Sequence, residues 1–402
     1  MKEILTKEYL NIKKLGISPK INYTFNYNFV NGPFLEILGS FPGRFLVQHI
    51  DQKDNSVVYE DTINNNMWTQ SRYLYFKDIL FRVKDLNNNK VIFEHSYNAQ
   101  GKRVYIHLDS KAIGDTLAWF PYAEEFRKKH KCHVIVSTFY NKWFDKQYPD
   151  LEFVEPGTEV YDIYAMYNIG WHYNENGEVN KFKNPTNFRE NHLQETATSV
   201  LGLDFKEIKP KLNFHIKSIE TEKPYVCIAP HASAHAKYWN YPGGWQFVID
   251  YLNGLGYGVK MITQEPLGDP WHDSKLGGKL KNVIDKTGGD FSIVNRAKDI
   301  LGAKLFIGVG SGLSWLSWAL ETPTILISGF SHPKSEFQDC ERLFVPNEEN
   351  ICNSCFNTHR LDPGDWEWCP NHKGTFRMFE CSKSITPSKV IESINKILKY
   401  DL

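Results

Sequence analysis

Three loops and one cysteine cluster in this chain carry residue types able to do chemistry. The first loop, Lys111-Ala112-Ile113-Gly114-Asp115-Thr116-Leu117, follows an apolar run, and Gly114 permits close backbone approach. Asp115 falls where a helix begins. Its carboxylate has two roles open to it: an N-cap on its own helix amides, the commoner role at such a position, or a general base aimed at a substrate hydroxyl. The second loop, Pro230-His231-Ala232-Ser233-Ala234-His235-Ala236-Lys237-Tyr238-Trp239, also follows an apolar run. Small residues let such a loop pack over a ligand. Lys237 offers a point charge to a phosphate, and His231 and Ser233 offer hydrogen bonds; the ordinary alternative is a solvated lysine. The third loop is Gly308-Val309-Gly310-Ser311-Gly312-Leu313-Ser314-Trp315. Free amides at a helix N-terminus attract anions, while the same glycines also suit tight strand–helix packing. Leu313 breaks the dinucleotide fingerprint and no Gly-Lys-Ser/Thr follows, so neither that motif nor a P-loop is met.

The cysteine cluster reads Cys352-x2-Cys355-x13-Cys369-x11-Cys381, among Asn, His, Pro and Gly. A C-x2-C knuckle puts two thiolates on one metal, and two later cysteines complete a tetrahedron. Four thiolates suit zinc or iron, and ligand type alone does not separate them. With every position filled, such a site is structural. Reduced, buried cysteines are the alternative, and His359 and His372 are available substitutes for one ligand. Cys132 and Cys227 fall in or beside apolar runs and read as packing residues; Cys340 has no assigned role.

These loops need elements to position them. Ile21, Tyr23, Phe25, Tyr27 and Phe29 alternate with polar neighbours, the period of a half-buried strand. With runs at 73–83 and 90–94 and turns at Asn31-Gly32, Asp54-Asn55 and Asn87-Asn88-Asn89, residues 21–100 predict a small antiparallel sandwich or barrel. From Arg103 the pattern changes. Val104–Leu108 and His133–Ser137 read as strands around a helical 116–130, a βαβ unit; Asp162-Ile163-Tyr164 is a weaker strand, and 187–202 reads as a helix. A second series follows: strands at 225–229, 259–263, 305–309 and 324–327, with helices at 243–255, 293–302 and 312–320. Two such blocks imply an α/β fold with two Rossmann-like domains facing a cleft. The expected organisation is an antiparallel β domain at 1–102, Rossmann-like domains at 103–220 and 221–345, a four-cysteine metal finger at 346–383 and a C-terminal helix at 384–402.

Composition bounds the function. Lys+Arg and Asp+Glu are both 47, so the net charge is zero, which argues against a nucleic-acid-coating surface or a polybasic membrane anchor. Hydrophobic residues at 41% and charged residues at 23% exclude global disorder. Charges break up the first eight residues, and glycines, a glutamate and a proline interrupt the most apolar stretch, 305–330. Neither a secretory signal nor a membrane span is therefore expected, and a cytoplasmic location follows. In a reducing compartment clustered cysteines favour metal over disulfides.

At this point the motifs resemble a known family. Gly114-Asp115-x-Leu117-x-x-x-Pro121 is similar to the first loop of ADP-heptose-dependent heptosyltransferases of the GT-B fold. Together with AKYWNYPGGW, VGSGLSWLSWAL and the four trailing cysteines, it resembles the bacterial autotransporter heptosyltransferases over about residues 20–400. The resemblance implies a β-barrel before two Rossmann-like domains, ADP-heptose as donor, and a serine of an autotransporter passenger domain as acceptor. It further implies a homo-oligomer, a dodecameric ring, and iron on Cys352, Cys355, Cys369 and Cys381. Asp115 then matches the catalytic base and Lys237 the lysine on the nucleotide diphosphate. Gly310, Ser311 and Gly312 match the turn that meets the donor phosphates, and Thr263 and Gln264 end a strand beside the nucleoside. The leaving diphosphate gains charge that a lysine and a helix N-terminus can stabilise, so no catalytic divalent metal is expected, and no Asp-x-Asp pair appears in the cleft loops. The competing readings are a GT-B transferase with another nucleotide sugar or a glycan acceptor, and a non-catalytic assembly scaffold. A nicotinamide-dependent oxidoreductase is disfavoured by the broken fingerprint.

Overall fold

The computed structural model describes residues 23–214, 223–289, 292–345 and 350–399. The first 22 residues and the expected boundary at 220/221 lie outside that set, and the expected boundary at 345/346 lies at its edge.

The alternating N-terminal residues form two antiparallel sheets. One orders Thr24–Asn28, Phe34–Leu38 and Met67–Gln70; the other orders Ser56–Asn64, Arg44–Asp51, Ile79–Asp85 and Lys90–Ser96. Inward-facing aromatics close the space between them: Phe25 stacks on Phe93 at 4.3 Å and Phe29 on Phe81 at 5.3 Å between centroids. The arrangement is a sandwich rather than a closed barrel. It is not a free-standing module. Phe29 N donates to Tyr164 O at 2.7 Å and Met166 N to Phe29 O at 3.1 Å, so the first strand runs on into the edge of the next sheet. Sandwich and sheet share one core.

That next sheet is parallel and orders Glu152–Phe153, His133–Ser137, Arg103–Leu108, Ala165–Ile169. Its last strand lies just beyond the expected 162–164. Asp162 sits at φ +55°, a turn conformation that a strand cannot use. The helical run 116–130 is two helices, Ile113–Trp119 and Pro121–His130. Pro121 has no N–H to continue the first helix and is well suited to start the second. The helix expected at 187–202 is confined to Leu193–Leu201, because His192 and Glu195 form a capping box that fixes its start.

The second parallel sheet orders Ile284–Asp285, Gly258–Met261, Tyr225–Ala229, Leu305–Val309, Thr324–Ile327, Glu341–Leu343. In chain order this is 3-2-1-4-5-6, the doubly wound order that opens a crevice at the carboxyl ends of its first and fourth strands. The first parallel sheet has the same reversal, between Arg103–Leu108 and Ala165–Ile169. The C-terminal helix Pro387–Leu398 folds back onto the second half, where Tyr251 donates to Asn395 Oδ1 at 2.7 Å.

Candidate active site

The two reversal points face one another across a cleft of about 610 Å³. All nine expected substrate residues line it: Asp115 on one wall, and His231, Ser233, Lys237, Thr263, Gln264, Gly310, Ser311 and Gly312 on the other. Helices Ile113–Trp119 and Gly312–Ala319 pack there by their first turns. Two glycines permit the approach. A Cβ on Gly312 would lie 2.9 Å from Ile113 Cβ, and one on Gly114 would lie 3.0 Å from the Trp315 ring.

Asp115 is not the helix cap. That position belongs to Ala112, whose side chain makes no capping bond, and Asp115 lies inside the first turn. Its Oδ2 instead accepts from Ser110 Oγ at 2.6 Å and from Trp171 Nε1 at 2.7 Å. Burial pushes the carboxyl upward. The two donors and the charge of Lys237 pull it back only in part, so it stays above the ordinary carboxylate range. It is a stronger proton acceptor than a solvated aspartate.

Lys237 ends the short 3₁₀ turn His235–Lys237. Its Nζ donates to Ser233 Oγ at 3.2 Å and stands 5.4 Å from the centre of the Phe330 ring. Burial lowers its pKa, while Asp115 and Glu336 work against that loss of charge. Ser311 precedes helix Gly312–Ala319, yet its side chain makes no capping bond, and its buried Oγ has no hydrogen-bond partner among the described residues. His231 Nδ1 lies 3.2 Å from Thr263 Oγ1 and 3.6 Å from Glu265 Oε2; its buried Nε2 has no partner among the described residues. These unsatisfied groups, beside a helix N-terminus and a lysine, suit a polar, anionic ligand.

Sequence reasoning missed Trp171, Glu265, Phe330 and Glu336, all of which line the cleft. Burial alone would raise the Glu265 carboxyl, but the hydrogen bond and charge of His231 bring it below its ordinary value. Glu336 pairs with Arg342 at 2.8 Å. The signal for Trp171 lay in topology: it follows the fourth strand of the first sheet, where a doubly wound fold opens its crevice.

Comparison with known proteins decides the family. Residues 126–354, more than half of the chain, match the profile of glycosyltransferase family 9 (heptosyltransferase). The autotransporter heptosyltransferase BAHTCr of Citrobacter rodentium is 34% identical over 88% of this chain and 85% of its own length. This chain belongs to the autotransporter heptosyltransferases of glycosyltransferase family 9. The crystal structure of the family's TibC from enterotoxigenic Escherichia coli H10407, described as an iron-containing dodecameric glycosyltransferase, superposes with TM-score 0.82 at 30% identity, covering 95% of this chain and 97% of that one. A second structure of TibC, in complex with ADP-D-β-D-heptose, superposes at 0.81 with 30% identity over 95% and 99%. A further member, BimC of Burkholderia thailandensis, is 31% identical over 88% of this chain and 82% of its own, and is named an inactive heptosyltransferase.

This heptosyltransferase keeps its cysteine cluster beside the cleft. Cys355 and Cys369 are buried with Phe330, Trp368 and Phe379. Cys352 Sγ lies 3.9 Å from Cys355 Sγ, close to the edge of about 3.8 Å of a tetrahedron with ~2.3 Å metal–sulfur bonds. None of the four cysteines is in a disulfide. Burial, then the neighbouring Cys352, Cys381 and Cys369, push the Cys355 thiol upward, a repulsion that a cation would relieve. Among the described residues, no three His, Cys, Asp or Glu side chains meet the geometry of a metal-holding group. His359 turns to Thr358 Oγ1 at 2.8 Å, and His372 lies 3.6 Å from Glu380. Cys132 and Cys227 are core residues, and the Cys340 thiol donates to Phe337 O at 3.6 Å. Among the described residues, no helix is long and apolar enough to cross a membrane.

Proposed function

We propose that this glycosyltransferase moves a heptose from ADP-heptose to serine hydroxyls of an autotransporter passenger domain. The observation that carries the proposal is the convergence of Asp115, Lys237 and the Gly310–Gly312 turn on one cleft, from two facing strand-order reversals. The solved complex of TibC with ADP-heptose supports the donor. Asp115 takes the serine proton as the serine oxygen attacks the anomeric carbon. The bond from that carbon to ADP breaks, and its electrons leave on the diphosphate. Lys237 and the amides opening helix Gly312–Ala319 meet that charge in place before it develops. Thr263 and Gln264 hold the nucleoside side of the donor, with His231 and Ser233 beside Lys237 at the diphosphate. No catalytic divalent cation takes part.

Cys352, Cys355, Cys369 and Cys381 hold a structural iron in this proposal, with zinc as the alternative. The metal stabilises the fold of its own segment and takes no part in the transfer. The protein works as a homo-oligomer, a dodecamer as in the TibC crystal structure.

Because one family member bears the name inactive, the test reads transfer itself. Purified protein is incubated with ADP-heptose, and in parallel with ADP-glucose and UDP-glucose, and a recombinant passenger fragment. Intact mass should show heptose added only from ADP-heptose. No added mass with any donor would sink the proposal, and transfer from a hexose donor would replace it. Element analysis should find iron, lost in Cys355→Ser; retention of all the metal would refute the ligand set. Native mass measurement of the purified protein checks the ring.

A further inference from the structure

The hydrogen bonds around Asp115 distinguish its two oxygens. Oδ2 receives both donors, Ser110 Oγ at 2.6 Å and Trp171 Nε1 at 2.7 Å. Among the described residues, none donates to Oδ1. The polarity of the tryptophan bond is fixed, because an indole N–H is a donor only. Ser110 Oγ itself accepts from Ala112 N at 3.1 Å, which turns its own hydrogen toward the carboxylate. With both donors satisfied on Oδ2, an arriving proton has only Oδ1 to bind.

The indole is built to hold that position. Its ring sits 4.9 Å edge-on from Phe188, 6.0 Å edge-on from Phe356 and 5.6 Å from Trp119. Trp119 is itself anchored, its Nε1 donating to Leu193 O at 2.9 Å. Gly170, just before Trp171, sits in a tight place: a Cβ there would lie 3.0 Å from His172 Nε2 and 3.2 Å from Asp109 Cβ. The chain is therefore pressed against the first strand's end, at the point where the indole must reach Asp115. Phe188 comes from the segment before helix Leu193–Leu201 and Phe356 from the cysteine segment, so the indole is gripped from both sides of the cleft.

We infer that Trp171 is the positioning residue of the reaction: with Ser110 it pins Oδ2 of Asp115 and leaves Oδ1 as the oxygen that takes the acceptor proton. The inference rests on the proposed base role of Asp115. Two donors to one oxygen also stabilise the ionised carboxylate, so removing either makes the base hold its proton to higher pH. A base works deprotonated; the acid side of the rate profile must then move upward.

The test is Trp171→Phe, which keeps an aromatic ring in the packing and removes the donor. The measurements are kcat and KM for heptose transfer from ADP-heptose to the passenger fragment across pH, with ADP-heptose affinity and melting temperature alongside. The expected result is a kcat about 10-fold to 100-fold lower, an acid limb moved to higher pH, and donor affinity unchanged. Ser110→Ala should move the same limb in the same direction, and it serves where Trp171→Phe does not fold. A raised acceptor KM with an unmoved acid limb would overturn the inference in favour of a wall contact, as would kcat and profile both within 2-fold of wild type. Asp115→Asn run in parallel separates the two levels. A fully active Asp115→Asn sinks the base role itself; a dead Asp115→Asn beside an unaltered Trp171→Phe sinks only the positioning role.

Discussion

The two walls of the cleft are built on the same topology but hold their working groups differently. Each is a strand-order reversal with a loop entering a helix. On the first wall Asp115 is fixed by donors at 2.6 and 2.7 Å. On the second, Lys237 has one 3.2 Å bond to an exposed serine, and Ser311 Oγ and His231 Nε2 have no hydrogen-bond partner among the described residues. One wall holds its group fixed; the other leaves polar groups open to a ligand. The difference matches the roles proposed for the two walls. A base has to be aimed before the proton moves, whereas phosphate-binding groups receive their partner with the donor.

The sharpest way to break this comparison is Asp115→Asn, which keeps the shape of the aimed group and removes its basicity. Turnover should fall about 100-fold or more, measured as heptose transfer with donor affinity retained. Lys237→Ala tests the other wall and should act on binding first: affinity for ADP-heptose by calorimetry is expected to fall about 10-fold. Unchanged affinity would place the phosphate elsewhere.

The pH profile reads both walls at once. The Asp115 carboxyl is raised and the Lys237 amine lowered, each first by burial. The base needs its proton off, so activity should be lost on the acid side above the range of an ordinary carboxylate, near pH 4. The lysine needs its proton on, so activity should be lost on the alkaline side below the ordinary lysine value, near 10.4. A plateau reaching both ordinary values would show neither group to be the working one.

The smallest expected effect concerns the seam between the walls. Gly312→Ala sets a Cβ against Ile113 Cβ at 2.9 Å and Gly114 N at 3.4 Å, neither at the end of a flexible side chain. It should cost about 1–3 kcal/mol by thermal melting. Gly254→Ala, with nothing within 4 Å, is the control and should be neutral or stabilising by up to about 1 kcal/mol.

Much of this was legible in the chain. Alternation at Tyr23–Phe29 announced the sandwich, and two series of apolar runs announced the parallel sheets, because side-chain period reports backbone geometry directly. The loops at 111–117, 230–239 and 308–315 were visible as polar or glycine-rich breaks after strands, and the structure brings them to one cleft. The strand at Ala165–Ile169 starts later than the pattern at 162–164 suggests, because Asp162, at φ +55°, belongs to a turn.

What the sequence determined by itself was the inventory: which elements form, and which charged and small residues stand at their ends. Local pattern is enough for that, since propensity and periodicity act over a few residues. The pairing of Asp115 with Trp171 was decided only by tertiary structure. As a cap Asp115 would have turned to its own helix; of the two donors that turn it away Ser110 is local, but Trp171 lies 56 residues along the chain and reaches it only because the first and fourth strands of the sheet are neighbours. The meeting of Gly114 with Trp315 and of Gly312 with Ile113 is of the same kind, a fit between distant helices that no local period encodes.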